Sequence, residues 1–287
     1  MRLCVGHGAD VKFAGTAGTT SLHVACQNGL VDQALWLLEC GTAADQATNH
    51  GVTPLLRACQ NGHVDAARLL LDKGAEVDRA DKNGSTPLLA ACEDGHVDAA
   101  LLLLDNGADV NRAMGWGQTP LFAACWKGHV GAARLLLDKG AEVDRADKDG
   151  RTPLKVAKLL HHSSIVALLE EQLDSKFPLH AAARTGDVEA MTQLLDGGAE
   201  VDAEKDGATP LHIACEKGHV DAARLLLDNG AAVDRALKDG NTPLSIAKRY
   251  RHSSIVALLE EHQKPRTSLW SRVSRSFRKS RDEPHQK

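Results

Sequence analysis

One segment of this chain returns every 33 residues, and that echo limits its possible folds more than any other feature. GVTPLLRACQNGHVDAARLLLDKGAEVD (51–78), GSTPLLAACEDGHVDAALLLLDNGADVN (84–111) and GQTPLFAACWKGHVGAARLLLDKGAEVD (117–144) are near copies. Their opening glycines, Gly51, Gly84 and Gly117, stand 33 residues apart, and Gly150 follows at the same step. Gly18 carries the series backward, and Gly207 and Gly240 repeat the interval downstream. A fixed period of this length marks a solenoid, in which each copy is one small unit that buries its apolar face against its neighbours.

The letters of one copy describe two short helices. Thr53, Thr86, Thr119 and Thr209 are placed to cap the first helix. The Pro after each of them suits the first helical position, where its missing N–H would be unpaired anyway. About two turns later Gly62, Gly95, Gly128 or Gly218 permits a left-handed backbone that ends the helix. A second helix, such as 64–72, turns Val64, Leu69 and Leu70 toward its neighbours and stops at Gly74, Gly107, Gly140 or Gly230. Neither helix is long enough to be stable alone in water, so stability has to accumulate along the array. The polar segment that follows, of the AEVDRADKNG type, suits a projecting hairpin.

Thr209-Pro210-Leu211-His212-Ile213-Ala214 spells TPLHxA in full. With the period, this resembles the ankyrin-repeat family. The resemblance implies an all-α repeat solenoid, a stack of helix-turn-helix units each carrying a β-hairpin. It further implies a non-catalytic scaffold or adaptor that holds a protein on its concave face of hairpin tips and first helices. It also implies that His23, His180 and His212, and the GHV histidines His63, His96, His129 and His219, tie each repeat to the next by hydrogen bonds.

Composition agrees with thin, closely spaced helices: 43% of residues are hydrophobic but only 3% aromatic, so the core must be Ala, Leu and Val. Cys26, Cys59, Cys92 and Cys125 recur every 33 residues, and Cys215 occupies the same place later. Each follows an Ala, as a small buried residue would, and no zinc spacing or secretory signal accompanies them. This points to reduced thiols and a cytoplasmic protein, with the nucleus as the alternative. No apolar run reaches the ~18 residues that span a bilayer. No nucleophile elbow, phosphate loop or metal motif occurs, and adjacent His161 and His162 point apart on a helix, so no enzyme, cofactor or metal is expected.

The array has internal ends. Residues 150–171 and 240–261 are relatives of each other, with Lys158 and Lys248 at the Cys position and His161 and Arg251 at the helix-ending Gly position. Polar residues at stacking positions suit capping repeats. The expected organisation is therefore a partial repeat over 1–16, a first block over 17–173, a second over 174–263 and a tail over 264–287. The blocks stack continuously but irregularly or meet at a kink near 172–176. Because 3–11 resembles only half a repeat, a second reading makes the chain the recognition arm of a larger regulatory enzyme or channel.

Comparing the copies separates scaffold positions from free ones. The variable positions follow the opening Gly (Ser85, Gln118, Arg151), lie at the first-helix end (Gln60, Asn61, Glu93, Asp94, Trp126, Lys127, Glu216, Lys217) or sit at loop tips (Asn83, Trp116). With Phe122, these are the candidate partner-binding residues. Trp116 and Trp126 stand where sister repeats carry Asn83 and Gln60 or Glu93, so the repeat 117–149 is the candidate hot spot. Trp36 aligns with Leu69 and is assigned to the core.

Charge is uneven. Residues 264–287 hold eight Lys/Arg and two acids, net +6, which leaves −10 for residues 1–263. An acidic body disfavours nucleic acid as a partner. In the tail, a helix would gather Leu269, Trp270, Val273 and Phe277 on one arc and leave Arg272, Arg275, Arg278 and Lys279 outside it. That composition suits an anionic membrane surface or a calmodulin-like groove. Five serines within 268–280 weaken the helix and make disorder the default. The whole is expected to be monomeric.

Overall fold

The computed structural model describes residue 15 and residues 17–263, which contain sixteen α-helices in eight pairs. The chain divides into two compact units between Leu173 and Asp174. In unit 1 the pairs are α1 (Ser21–Gln27) with α2 (Val31–Glu39), α3 (Pro54–Gln60) with α4 (Val64–Asp72), and α5 (Pro87–Glu93) with α6 (Val97–Asp105). They continue with α7 (Pro120–Lys127) and α8 (Val130–Asp138), then α9 (Pro153–Leu159) and α10 (Ser163–Lys176). Unit 2 holds α11 (Pro178–Thr185) with α12 (Val188–Asp196), α13 (Pro210–Lys217) with α14 (Val220–Asp228), and α15 (Pro243–Arg249) with α16 (Ser253–Gln263). The stretch 172–176 is the last part of helix α10.

Two rows result in each unit. The first helices pack in sequence, α1 on α3 on α5 on α7 on α9, and α11 on α13 on α15; the second helices form a parallel row behind them. Small side chains make this spacing workable. Ala58, Ala66 and Ala67, with Cys59 beside them, have no exposed surface, and Leu55 and Leu70 fill the space between rows. Burial pushes the thiols of Cys26, Cys92, Cys125 and Cys215 up to about 12, and that of Cys59 up as well, so all five stay protonated apolar fillers. Trp36 is half-buried, as is Leu69 in the same column.

The caps form as the residues require. The hydroxyl of Thr53 accepts from the Leu56 N–H at 3.1 Å, that of Thr86 from Leu89 at 3.2 Å, and that of Thr119 from Phe122 at 3.2 Å. At Thr209 the backbone N–H donates to His212 Nδ1 at 3.2 Å. Nδ1 is therefore an acceptor, Nε2 carries the proton, and Nε2 donates to the Arg235 carbonyl at 3.0 Å. His23 and His180 reach the carbonyls of Val52 and Ala208 in the same way, each at 3.0 Å.

A second set of histidines ties first-helix ends together. His63 donates to the Gln27 carbonyl at 3.0 Å and His219 to that of Arg184 at 3.1 Å. In the cap repeats this role passes to His162 (Trp126 carbonyl, 3.3 Å) and His252 (Glu216 carbonyl, 3.2 Å). His161 and Arg251 stand where Gly62 stands and keep its left-handed backbone, with φ of 59° and 63°. Lys158 and Lys248 swing out to Glu170 at 2.8 Å and Glu260 at 2.9 Å.

The expected β-hairpins are replaced by tight loops. The 81–85 loop is closed by Asp81 N–H to Ser85 O and Gly84 N–H to Asp81 O, both 3.0 Å, and Lys82 N–H reaches the His50 carbonyl of the loop before it at 2.9 Å. One bond between neighbouring loops does not make a ladder. Among the described residues no strand forms, and Lys205 with Ala208 makes an isolated bridge.

Candidate functional site

The first-helix row of unit 1 exposes the residues that vary between copies, and a groove there carries two of the candidate aromatics. It is lined by Leu89, Glu93, Met114, Gln118, Phe122, Ala123, Trp126 and Lys127 and encloses about 170 Å³. That is room for one side chain.

Trp126 is the side chain that gives the groove its character. It sits on α7 one turn beyond Phe122, so the (i, i+4) spacing stacks the two rings, with centroids 6.2 Å apart and planes at 21°. The Arg151 guanidinium lies 5.9 Å from the Trp126 ring centre, a cation–π distance. Arg151 is itself fixed: Nε donates to Asp147 Oδ2 at 2.9 Å, and Nη2 lies 2.7 Å from both the Asp147 and Asp149 carboxylates. Burial opposes charge on Asp147, but the Arg151 side chain and the backbone N–H groups of Arg151 and Asp149 outweigh it. They hold the carboxyl below its ordinary value. Trp126 nonetheless keeps 38% of its surface exposed.

Trp116 is placed differently. It stands at a loop tip with 70% of its surface exposed, and its carbonyl accepts from the Lys148 N–H at 3.1 Å. In sister loops an aspartate braces the turn: Asp81 Oδ1 accepts from the N–H groups of Asn83 and Ser85, and Asp147 Oδ1 from those of Asp149 and Arg151. Met114 occupies that position in the Trp116 loop and turns a thioether to the groove instead.

The expected residues do not all gather here. Gln118, Trp126 and Lys127 line the groove with Glu93, which pairs with Lys127 at 3.4 Å. Phe122 forms the groove floor with only 1% of its surface exposed, because its column holds the buried His23, His180 and His212 in other copies. Gln60, Asn61 and Asp94 lie by a separate depression with Arg57, which donates to Gln60 Oε1 at 3.0 Å. Asn83 is an exposed tip and Ser85 is half-buried. Glu216 and Lys217, paired at 2.8 Å, belong to unit 2. Trp270, Arg272, Arg275, Phe277, Arg278 and Lys279 lie outside the described residues. Comparing the copies left out Leu89, and it marked the Met114 turn only as a departure from the usual Asp-Lys. Leu89 repeats Leu56, and Met114 shows its meaning only beside the aspartates it replaces.

No helix among the described residues is long and apolar enough to cross a membrane, and no group of three metal-ligating side chains assembles there. The model of ankyrin repeats (3 copies) matches residues 22–114, 112–178, 161–236 and 179–268. The chain belongs to the ankyrin-repeat family. No curated protein matches it. Ankyrin repeats are in general protein–protein interaction modules, typically without catalytic activity. The groove of this ankyrin stack combines a partly exposed indole, an apolar floor and a charged rim.

Proposed function

We propose that this ankyrin-repeat protein is a non-catalytic scaffold or adaptor that holds a protein partner on the first-helix face of unit 1. The partner seats an apolar side chain in the Trp126 groove. The observation that carries this reading is Trp126 itself, a half-exposed indole on a Phe122 floor where the sister columns hold Gln60 and Glu93. Indoles rimmed by polar groups supply most of the affinity at such interfaces. Lys127, Glu93 and Arg151 form the rim and select partners more than they add affinity. Trp116 and Asn83, at neighbouring loop tips, widen the contact. The buried, protonated thiols suit a reducing cytoplasm, and the chain acts as a monomer.

The test is affinity capture with the full chain against Trp116→Ala/Trp126→Ala, each matched for urea stability. At least one bound protein should be lost from the double variant, and restoring Trp126 alone should recover most of it. Retention of every bound protein by the double variant refutes the reading.

A further inference from the structure

Unit 2 has no tryptophan in residues 174–263, and its first-helix ends carry another chemistry. The two cap repeats show the change at matched positions. In unit 1, Lys158 is followed by Leu159, Leu160 and His161; in unit 2, Lys248 is followed by Arg249, Tyr250 and Arg251. Leu159 is 66% exposed and Tyr250 is 50% exposed, so both lips face outward. One lip is apolar and the other is cationic around an aromatic ring.

The cationic lip is held in place. The Tyr250 ring stacks on His252 with centroids 6.4 Å apart and planes at 10°. His252 donates to the Glu216 carbonyl at 3.2 Å, which fastens the lip to the end of α13 beside exposed Lys217. Arg249 lies in the field of Asp239, whose carboxylate accepts from the Asn241 backbone at 3.0 Å and from its side chain at 2.6 Å. Lys248 is turned away to Glu260. Arg249 and Arg251 keep exposed guanidiniums, and Arg251 does so with φ of 63°, a backbone that a glycine would hold at lower cost.

We infer that the lip formed by Lys217, Arg249, Tyr250 and Arg251 docks an acidic segment of a partner protein. Planar guanidinium forks match carboxylates two bonds at a time, and the Tyr250 ring offers a flat face to an apolar side chain between the acids. A nucleic acid fits less well. Residues 174–263 hold ten Lys/Arg and fifteen Asp/Glu, net −5, so a long polyanion is repelled away from the lip, whereas a short acidic stretch meets Arg249, Arg251 and Lys217, with Glu216 on Lys217 and Asp239 near Arg249 as the nearby carboxylates it must displace or avoid. This surface is distinct in residues and chemistry from the Trp126 groove of unit 1.

The test is fluorescence anisotropy on the full chain with three labelled probes: a Glu/Asp-rich peptide around one Leu, its Gln/Asn counterpart, and a single-stranded DNA of equal charge. The variant is Arg249→Glu/Arg251→Gly, in which the glycine relieves the left-handed position, so loss of binding is not loss of fold. At low salt the acidic peptide should bind wild type and weaken about tenfold or more in the variant. Arg224→Glu, an exposed outer-row control, and Trp126→Ala should both leave it unchanged. The Gln/Asn peptide should bind neither protein. Unchanged acidic-peptide affinity in the variant overturns the inference and assigns that binding elsewhere, the basic 264–287 segment included. DNA that binds more tightly than the acidic peptide, and is lost in the same variant, overturns the protein partner.

Discussion

The glycine–histidine contact between repeats gives a prediction whose size can be worked from the structure. Gly62 and Gly74 both hold left-handed backbones, with φ of 71° and 84°. An alanine at either position carries the cost of that conformation, about 1–2 kcal/mol. The surroundings differ. A Cβ on Gly74 would meet nothing within 4 Å, whereas one on Gly62 would lie 2.5 Å from His96 Nδ1 and 2.8 Å from its Cε1. Ordinary contact is about 3.5–4 Å, so the imidazole must move by about 1 Å and leave its rotamer, at about 0.5–1.5 kcal/mol before lost packing. Gly74→Ala should therefore cost about 1–2 kcal/mol, and Gly62→Ala at least about 1 kcal/mol more. Urea unfolding followed by tryptophan fluorescence suits the measurement in a Trp270→Phe background, because the other three tryptophans, Trp36, Trp116 and Trp126, all belong to unit 1. A cycle with His96→Ala isolates the contact: the second alanine should cost less in the Gly62→Ala background than alone, with a coupling of about 1 kcal/mol. Equal losses for the two glycine variants, or a cycle without coupling, would falsify the account of why these first helices end in glycine beside a histidine.

The cap repeats give the opposite sign. His161→Gly and Arg251→Gly replace non-glycine residues at φ of 59° and 63°, and each should stabilise its unit by about 1 kcal/mol, read as a higher urea midpoint at unchanged slope. Acid should weaken both units. Burial, partly offset by the bonded carbonyl, lowers the pKa of His23, His180 and His212 below the ordinary 6.5. The unfolded chain then binds protons near pH 6.5 that the folded chain refuses. Stability is full above pH 6.5 and falls as pH drops below it, by at most about 1.4 kcal/mol per pH unit for each histidine. Unit 2 holds two of these residues and unit 1 one, so hydrogen exchange at pH 5.5 against 7.5 should loosen unit 2 more. His212→Leu, the residue type of Leu56 and Leu89, should flatten that response, and an unchanged profile would count against it.

How much could be read in advance follows from where each interaction is made. Caps and turns are local. Thr53 accepts from a residue three positions on, and Gly62 ends the helix by its own backbone, so both were legible in one repeat. The histidine ties are not local, but the period carries them: His63 meets Gln27 across 36 residues because every repeat does the same. Less was legible where a column changes type. Phe122 is a candidate contact, and its depth follows from its column, in which Leu56, Leu89 and His212 are all buried. The family hairpin was expected from loop length and polarity, which do not show how few backbone bonds a five-residue loop can share with its neighbour. Arg151 over Trp126 joins two repeats through side chains alone and left no local signal.

The two capping repeats sharpen where function can reside in such a chain. Their outer helices are nearly identical in sequence, with Ile165 and Ile255 and then Leu169 and Leu259 fully buried, and their Lys158 and Lys248 pair with equivalent glutamates. A cavity opened in the Ile or Leu columns would cost several kcal/mol, whereas the exposed Lys–Glu pairs add at most about 1 kcal/mol each. At the first-helix ends the side chains face solvent, and exchange there usually costs less than about 0.5 kcal/mol. The same scaffold can thus carry Leu159 and Leu160 at one lip and Arg249 and Tyr250 at the other without loss of fold. Trp126, in the column of Gln60, Glu93 and Glu216, obeys the same rule. Positions with little structural duty are the ones free to differ, which is why the disagreements between repeats, more than their shared letters, mark the surfaces a partner would meet.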